Sequence, residues 1–198
     1  MTLYDLNTPN KLGETAIYLA ACKGHTKIVK ILAPLTDNPN APDKDGETPI
    51  LRAAICGHTE IVKILAPFVD NLNARGRLGI PIVCAAFCGH KEIVQILAPF
   101  MNEDSGRMSI HMAARNGQSE IIKILAPLIV GNPNAPDDNG QTPIHWAARY
   151  GHTEIVKILA PLTEDPNAPD NEGRTPAKIA KKEEIKEFLK TFQSKKTA

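Results

Sequence analysis

Apolar side chains in this chain follow a helical spacing that returns at a regular interval. In one stretch Ile61, Ile64 and Leu65 lie at i, i+3 and i+4, with the charged residues Glu60 and Lys63 between them. This spacing places the apolar residues on one face of an amphipathic helix. The ten-residue string HTEIVKILAP, which contains the pattern, occurs unchanged at residues 58–67 and 152–161, and in looser form at residues 25–34, 90–99 and 118–127.

The interval between these copies predicts the architecture. Successive copies are 33, 32, 28 and 34 residues apart, counted from the first residue of each ILAP tetrad at Ile31, Ile64, Ile96, Ile124 and Ile158. A period in the low thirties is typical of repeat proteins, in which one supersecondary unit stacks on copies of itself. We therefore predict one elongated array of six units, each touching only its neighbours.

A second motif in each unit predicts another helix before the ILAP helix. In the second unit Thr48 can cap this first helix with its hydroxyl, and Pro49 suits the first helical position, where a missing N–H costs nothing. The small pair Ala53 and Ala54 lets neighbouring helices approach closely. Gly57 then supplies a left-handed residue that ends the helix.

Turn-forming residues follow the second helix of each unit. Pro67 lacks an N–H and restricts the residue before it, so we expect the second helix to end or kink there. The stretches 38–46, 70–78 and 132–140 are rich in Asn, Gly, Pro, Asp or Arg and predict projecting turns, which we call fingers. The stretch 102–107 is shorter than its counterparts, so we expect a truncated finger and a local break in the surface.

The combined motifs resemble the ankyrin repeat family. The family pattern G-x-TP-(L/I)-H-x-A-A-x-x-G-H-x-x-I-V is matched almost fully by GQTPIHWAARYGHTEIV at residues 140–156, and more loosely elsewhere. The resemblance covers roughly residues 10 to 192. It implies an all-α fold, an ankyrin-repeat α-solenoid of helix-turn-helix units with projecting β-turn or hairpin loops. A single domain spans residues 1–198, with approximate repeats 10–42, 43–75, 76–103, 104–136, 137–169 and 170–193 and a frayed tail at 194–198.

The histidines and the single tryptophan are expected to serve structural roles. His25, His58, His90 and His152 follow the turn glycines, and a residue repeated at a fixed period is better explained by a hydrogen bond that braces a loop. His111 and His145 occupy the family's TP-(L/I)-H position, so the resemblance implies hydrogen bonds at the start of the first helix. Trp146 is expected to pack between repeats rather than to contact a ligand.

Composition narrows the function classes. The formal net charge is +1, which gives no field that demands nucleic acid or an acidic membrane. No apolar run reaches the length of a transmembrane helix, and the first residues lack the apolar core of a secretory signal. The four cysteines are expected to be reduced thiols. Reduced thiols favour an intracellular, cytoplasmic location, and a nuclear or host-cell location stays open. The first and last repeats resemble polar caps, so we expect a complete array.

Each candidate catalytic or metal-binding motif lacks a residue that its chemistry requires. His58-Thr59-Glu60 matches the H-x-E of zinc deaminases, but its Pro-Cys-x-x-Cys partner is missing and the string recurs at residues 152–154. The stretch 43–46 suggests a calcium loop, yet Ala54 stands where the bidentate glutamate would be. Cys84 and Cys88 could form only half of a metal site. We therefore expect no enzyme activity, no metal and no cofactor.

The resemblance implies a concave groove built from finger tips and the inner face of the first helices. The positions assigned to it vary while the surrounding scaffold repeats, as an adjustable surface on a constant frame would. They are Lys44, Asp45, Glu47, Ile55, Cys56, Arg77, Phe87, Cys88, Arg107, Arg115, Asn116, Asp138, Asn139, Gln141, Arg149 and Tyr150.

These positions favour a monomeric adaptor or inhibitor that binds another protein and neither nucleic acid nor membrane. Two sets of these positions differ in chemistry: an apolar strip of Ile55, Cys56, Phe87 and Cys88, and a cationic patch of Arg107, Arg115, Arg149 and Tyr150. The partner would therefore carry an apolar segment beside acidic residues. Three alternatives remain open: the arginines are merely solvated, the chain has a structural or self-associating role, or it is an engineered or reconstructed scaffold without a native partner.

The repeat interpretation makes a first prediction about stability. Ala54→Leu should overpack the contact between first helices and lower the free energy of unfolding by roughly 1–3 kcal/mol. Arg149→Ala, on the variable surface, should stay within about 0.5 kcal/mol of the parent protein. Urea unfolding followed by circular dichroism measures both. A loss of cooperative unfolding in the arginine variant would contradict its assignment to the surface.

Overall fold

A computed structural model describes residues 5–193 of the 198-residue chain. Within these residues the secondary structure is helical, and the β structure consists of one isolated bridge between Gly76 and Gly79. The all-α prediction is confirmed. The predicted frayed tail lies outside the described residues. Contacts divide the chain into two units, which meet between Ser105 and Gly106.

The first unit contains three helix–turn–helix pairs. The helices are α1 (Ala16–Cys22), α2 (Thr26–Leu32), α3 (Pro49–Cys56), α4 (Thr59–Leu65), α5 (Pro81–Cys88) and α6 (Lys91–Leu97). The first helices α1, α3 and α5 pack against one another in sequence, and so do the second helices α2, α4 and α6. The alanine pair of each first helix, such as Ala53 and Ala54, is fully buried at this contact.

The second unit repeats the arrangement with a different beginning and end. Its helices are α7 (Glu103–Asn116), whose first residues belong to the first unit, α8 (Ser119–Leu125), α9 (Pro143–Tyr150), α10 (Thr153–Leu159), α11 (Pro176–Ile179) and α12 (Glu183–Gln193). Helices α9 and α11 pack together, and α8, α10 and α12 form the row of second helices. Helix α7 has 14 residues and α11 has four, whereas the complete first helices α3, α5 and α9 have eight.

The helix boundaries predicted from Thr48, Gly57 and Pro67 are confirmed. The Thr48 hydroxyl oxygen accepts a hydrogen bond from the Leu51 N–H at 3.3 Å, and Gly57 ends α3 in the left-handed region with φ 77°. The proline of each ILAP tetrad stops the α-helix two residues before it, and the chain tightens into a 3₁₀ turn, as at Ala66–Phe68 after α4. The missing N–H of Pro67 falls where no α-helical hydrogen bond is left to make.

Buried side-chain amides fix the fingers to the helices that follow them. The Asn40 Oδ1 accepts from the Ile50 N–H at 3.0 Å, Asn134 does the same for Ile144 at 3.0 Å, and Asn167 for Ala177 at 2.9 Å. Each bond satisfies an N–H in the first turn of a helix, which has no partner inside the helix. The repeated Pro-Asn-Ala loop sequence is therefore a structural device.

The stretch 102–107 corrects one expectation. It forms no truncated finger; instead the chain enters α7 directly at Glu103. The Asn102 Oδ1 accepts from the Ser105 N–H at 2.8 Å, and the Ser105 Oγ accepts from the Asn102 N–H at 3.0 Å. This reciprocal cap starts the helix. The two acidic residues of the first turn are stabilised by the positive end of the helix dipole. Arg107 therefore lies within a helix and not on a finger tip.

The first repeat also differs from the polar cap that its sequence suggested. Its lysines Lys27 and Lys30 are exposed as expected, but Ile28 and Ile31 beside them are 46% and 63% exposed. The residue equivalent to Ile28 in the next repeat, Ile61, is fully buried. The difference arises because α4 packs against α2, whereas residues 5–193 contain no second helix that covers the other side of α2.

A close contact between a glycine and an imidazole ring recurs along the stack. A Cβ built on Gly24, Gly57 or Gly117 would lie only 2.7 Å from the ring of His58, His90 or His152 of the next repeat. The same rings place Nε2 at 3.3, 3.0 and 3.2 Å from the carbonyl oxygens of Cys22, Ile55 and Arg115. These three histidines are bracing residues, as predicted, and the bond they make runs between repeats. For His25 no such bond is found among the described residues.

This contact predicts that Gly57→Ala is unusually costly. Alanine at φ 77° carries backbone strain of roughly 1–2 kcal/mol, and its methyl group would also meet the His90 ring. Gly173 is the matched control because its φ of 71° is similar and nothing lies within 4 Å of the added methyl. We expect Gly57→Ala to exceed Gly173→Ala by at least about 1 kcal/mol in urea unfolding. Equal losses, or an excess that persists in a His90→Ala background, would contradict the contact.

His145 predicts a pH dependence of stability. Burial lowers the pKa of this imidazole below its ordinary value of 6.5, and nearby Arg149 lowers it further, against the raising effect of the Arg174 carbonyl. The unfolded chain therefore takes up a proton that the folded chain resists, so stability is complete above about pH 6.5 and falls as the pH drops. Urea unfolding between about pH 5 and pH 8 should show a shallower decline for His145→Gln. An unchanged slope in the His145 variant would refute the assignment.

Candidate protein-binding surface

The last two residues of α3, α5, α7 and α9 are half-buried or exposed, and each pair directly follows a buried pair of alanines. In α3, Ala53 and Ala54 are buried, whereas Ile55 is half-buried and Cys56 is exposed. The same alternation follows in α5, α7 and α9, because two residues turn a helix by about half a turn, from the packed face to the opposite side. The candidate surface therefore consists of helix-end pairs: Ile55 and Cys56, Phe87 and Cys88, Arg115 and Asn116, Arg149 and Tyr150.

Five of the predicted finger residues are accessible. They are Lys44, Asp45, Arg77, Asp138 and Asn139. Arg77 and Asp45 of adjacent fingers lie 3.4 Å apart, with side chains 73% and 61% exposed. An ion pair this open to water contributes little to stability, so both groups can exchange it for a contact with a partner.

Two predicted binding residues are buried, which corrects their assignment. Glu47 is 4% exposed and Gln141 is 6% exposed. Both lie at the base of a finger, where their N–H groups donate to the carboxylates of Asp43 and Asp137, each at 2.9 Å. The Glu47 Oε1 also accepts from the Leu78 N–H at 2.6 Å, which ties one finger to the next. These residues shape the fingers and are out of reach of a partner.

Arg107 is accessible, but its place differs from the prediction. It lies exposed on the early part of α7.

His111 and His145 each bind within their own repeat and to the next one. Nδ1 of His111 is 2.9 Å from the Arg107 carbonyl oxygen, and Nε2 is 3.1 Å from the Gln141 carbonyl oxygen. His145 likewise binds Thr142 at the start of its own helix and reaches the Arg174 carbonyl at 3.0 Å. The bonds within the helix start were expected; the bonds to the next repeat were not.

The helix-end pairs of the first unit are apolar. Phe87 is 47% exposed at the end of α5, and Ile55, Cys56 and Cys88 surround it in the equivalent positions. Partial burial and the neighbouring Cys56 raise the pKa of the Cys88 thiol, so this group stays uncharged near neutral pH. All four cysteines are unpaired. We call Ile55, Cys56, Phe87 and Cys88 the apolar strip.

The helix-end pairs of the second unit belong to a cluster of cationic and aromatic side chains. The guanidinium carbons of Arg115 and Arg149 lie 5.2 and 5.3 Å from the centre of the Trp146 ring, within the range of cation–π attraction. Tyr150 stacks on Trp146 with ring centres 6.2 Å apart and an interplanar angle of 7°. His152 stacks on Tyr150 at 6.4 Å. We call these five residues the arginine–tryptophan cluster.

Trp146 is the member of this cluster that sequence reasoning assigned elsewhere. It is half-buried, and its contact with Arg115 of the preceding repeat agrees with the expected packing between repeats, whereas the exposed cationic cluster around it was not expected. The signal was present in the spacing, because Arg149 and Tyr150 follow Trp146 at i+3 and i+4 and therefore share its helix face.

The described residues contain neither a metal-binding cluster nor a membrane-spanning helix. Residues 5–193 contain no group of three or more His, Cys, Asp and Glu side chains placed to hold a metal ion. The carboxylate of Asp43, where the calcium motif was considered, already accepts the N–H groups of Asp45 and Glu47 and the hydroxyl of Tyr18. None of the helices in this part of the chain is both long and apolar enough to cross a bilayer.

Comparisons with known proteins agree with the architecture. The family model described as ankyrin repeats (3 copies) matches residues 2–75, 69–132 and 110–197. None of the curated proteins matches the sequence significantly.

Two solved structures illustrate the likeness of the fold. The ankyrin repeat domain of Bcl-3, described as a unique member of the IkappaB protein family, superposes with a TM-score of 0.80 at 22% identity, covering 93% of this chain and 86% of that one. The human ASB11 ankyrin repeat domain superposes with a TM-score of 0.81 at 23% identity, covering 96% and 88%. Identities this low establish a shared fold only. The family model, by contrast, accounts for nearly the whole sequence, and the chain belongs to the ankyrin repeat family.

Proposed function

We propose that this chain is a non-catalytic adaptor or inhibitor that holds another protein on its helix-end pairs and finger tips. Ankyrin repeat domains are generally protein-interaction modules, and members of the family are typically non-catalytic. The observation that carries the proposal is the contrast within each repeat. The buried isoleucine and alanine pair of the first helices α1, α3, α5, α7 and α9 are the same from repeat to repeat, whereas the helix-end pairs change from Ile-Cys to Phe-Cys, Arg-Asn and Arg-Tyr.

The chemistry of the helix-end pairs suits an interface. Partly exposed Phe, Tyr, Trp and Arg side chains are the residue types that contribute most to protein–protein binding. The second helices present a different surface, on which Lys63 pairs with Glu60 and Lys157 with Glu184. These exposed pairs contribute little energy and keep the surface hydrated. The helix-end side is therefore the better candidate for a partner.

The test compares three variants after circular dichroism has shown that each is folded. Ile55→Ala with Phe87→Ala removes most of the apolar strip, and Arg115→Ala with Arg149→Ala and Tyr150→Ala removes most of the arginine–tryptophan cluster. Lys63→Ala with Lys157→Ala is the control on the second helices. Partners captured by the parent protein from a cell lysate are identified, purified and titrated against all three.

We expect at least one of the first two variants to weaken the partner by at least about tenfold, because truncated anchor residues at interfaces typically cost that much. The lysine variant should bind like the parent protein. Loss of the partner in the lysine variant alone would place the interface on the second helices and refute the proposal.

The exposed Ile28 and Ile31 of the first repeat favour one competing role, self-association. Apolar side chains that water covers in one copy could be covered by a second copy instead. Light scattering at increasing protein concentration, with Ile28→Lys as the comparison, separates this role from the proposed one. A constant monomer mass would leave the adaptor or inhibitor role unchallenged.

A further inference from the structure

We infer that the arginine–tryptophan cluster recognises an acidic peptide segment, one whose carboxylates lie about three residues apart in an extended conformation. The inference rests on the proposed function and specifies the chemistry of its partner. It concerns only residues of the second unit, and its first support is the balance of charge there.

The carboxylates of the second unit that form ion pairs do so with cations outside the cluster. Glu154 pairs with Lys123 at 2.8 Å, Glu184 with Lys157 at 2.6 Å, and Asp170 with Arg174 at 2.8 Å. Among the described residues no ion pair is found for Arg115 or Arg149. No carboxylate among the described residues therefore lies within ion-pair distance of either guanidinium.

A third cation lies next to them. The backbone N–H of Lys181 donates to the carbonyl oxygen of Ala148 at 3.0 Å, which places Lys181 beside the residue that precedes Arg149. Its side chain is exposed, and no ion pair is found for it in residues 5–193 either. Three uncompensated cations on neighbouring repeats form a surface whose potential favours negative charge.

The arginines are also held in position before any partner arrives. Both lie over the Trp146 ring, and the main chain at Arg115 is fixed by the bond from Nε2 of His152 to its carbonyl oxygen at 3.2 Å. A guanidinium that already rests on an aromatic ring loses less conformational freedom on binding, and its planar fork suits a carboxylate better than a lysine does. The Tyr150 ring, 43% exposed, adds an apolar surface with a hydroxyl for the segment between the acids.

The geometry limits the spacing of the acids. Because the two guanidinium carbons lie 5.2 and 5.3 Å from the same ring centre, they are at most about 10.5 Å apart. An extended polyproline II segment rises about 3.1 Å per residue with three residues per turn, so its residues i and i+3 share a face about 9 Å apart. Two carboxylates at this spacing can reach both arginines at once.

Trp146 makes the test direct, because it is the only tryptophan in the chain and lies inside the cluster. The probe is a synthetic peptide free of aromatic residues, with glutamate at every third position and prolines between. The matched peptide has glutamine in place of glutamate. The emission of Trp146 is recorded as each peptide is titrated into the full-length protein.

Two variants, each checked by circular dichroism, separate the cluster from a general effect of charge. Arg115→Gln with Arg149→Gln removes the two guanidiniums. Lys27→Gln with Lys30→Gln removes the same net charge from exposed positions on α2. We expect saturable quenching by the glutamate peptide only, a dissociation constant at least about tenfold higher for the arginine variant, and a change of less than about twofold for the lysine variant.

Several outcomes would overturn the inference. Equal weakening by the lysine variant would show that only the general field matters, and equal binding of the glutamine peptide would exclude recognition of carboxylates. Tighter binding of a single-stranded oligothymidylate of equal charge would assign the surface to nucleic acid. If the glutamate peptide fails while partner capture still depends on the helix-end pairs, the partner class is wrong and the proposed function stands.

Discussion

The contact between a turn glycine and the imidazole of the next repeat is the constraint on which the candidate surface depends. The glycine must adopt a left-handed conformation to end the first helix, and it must also lack a side chain so that the ring can lie against it. The ring in turn binds the carbonyl oxygen two residues before the glycine. One contact therefore fixes both the end of a first helix and the distance to the following repeat.

The same contact explains how a constant scaffold can carry a variable surface. The carbonyl groups used are those of Cys22, Ile55 and Arg115, so the bracing bond is made by the main chain of the helix-end residues. Any amino acid supplies that carbonyl, so the bracing bond itself sets no requirement on the side chain. Isoleucine in one repeat and arginine in another are thus equally compatible with the stack, and the surface can change its chemistry with little effect on the fold.

Features set by a rule that every repeat shares could be predicted, whereas a local departure from the repeat pattern and contacts between repeats could not. The Thr48 cap, the left-handed Gly57 and the helix stop at Pro67 follow from local rules and are all found. The start of α7 was missed because the repeat pattern suggested a short finger, although Asn102 and Ser105 carry their own capping signal. The burial of Glu47 was missed because its partner, the Leu78 N–H, belongs to the next finger, 31 residues away.

The surroundings of Trp146 depend both on the spacing of residues along one helix and on the stacking of neighbouring repeats. Its helix spacing from Arg149 and Tyr150 was visible in the sequence, but the approach of Arg115 from the preceding repeat was a consequence of stacking. Stacking brings α7 and α9 to a distance at which two guanidiniums share one ring, a distance set by the bond from His152 to Arg115 and by the absence of a side chain on Gly117. The interaction that stabilises the array is in this way also the one that assembles the arginine–tryptophan cluster, so a substitution that loosens the glycine contact should disturb the cluster without touching any of its aromatic or cationic groups.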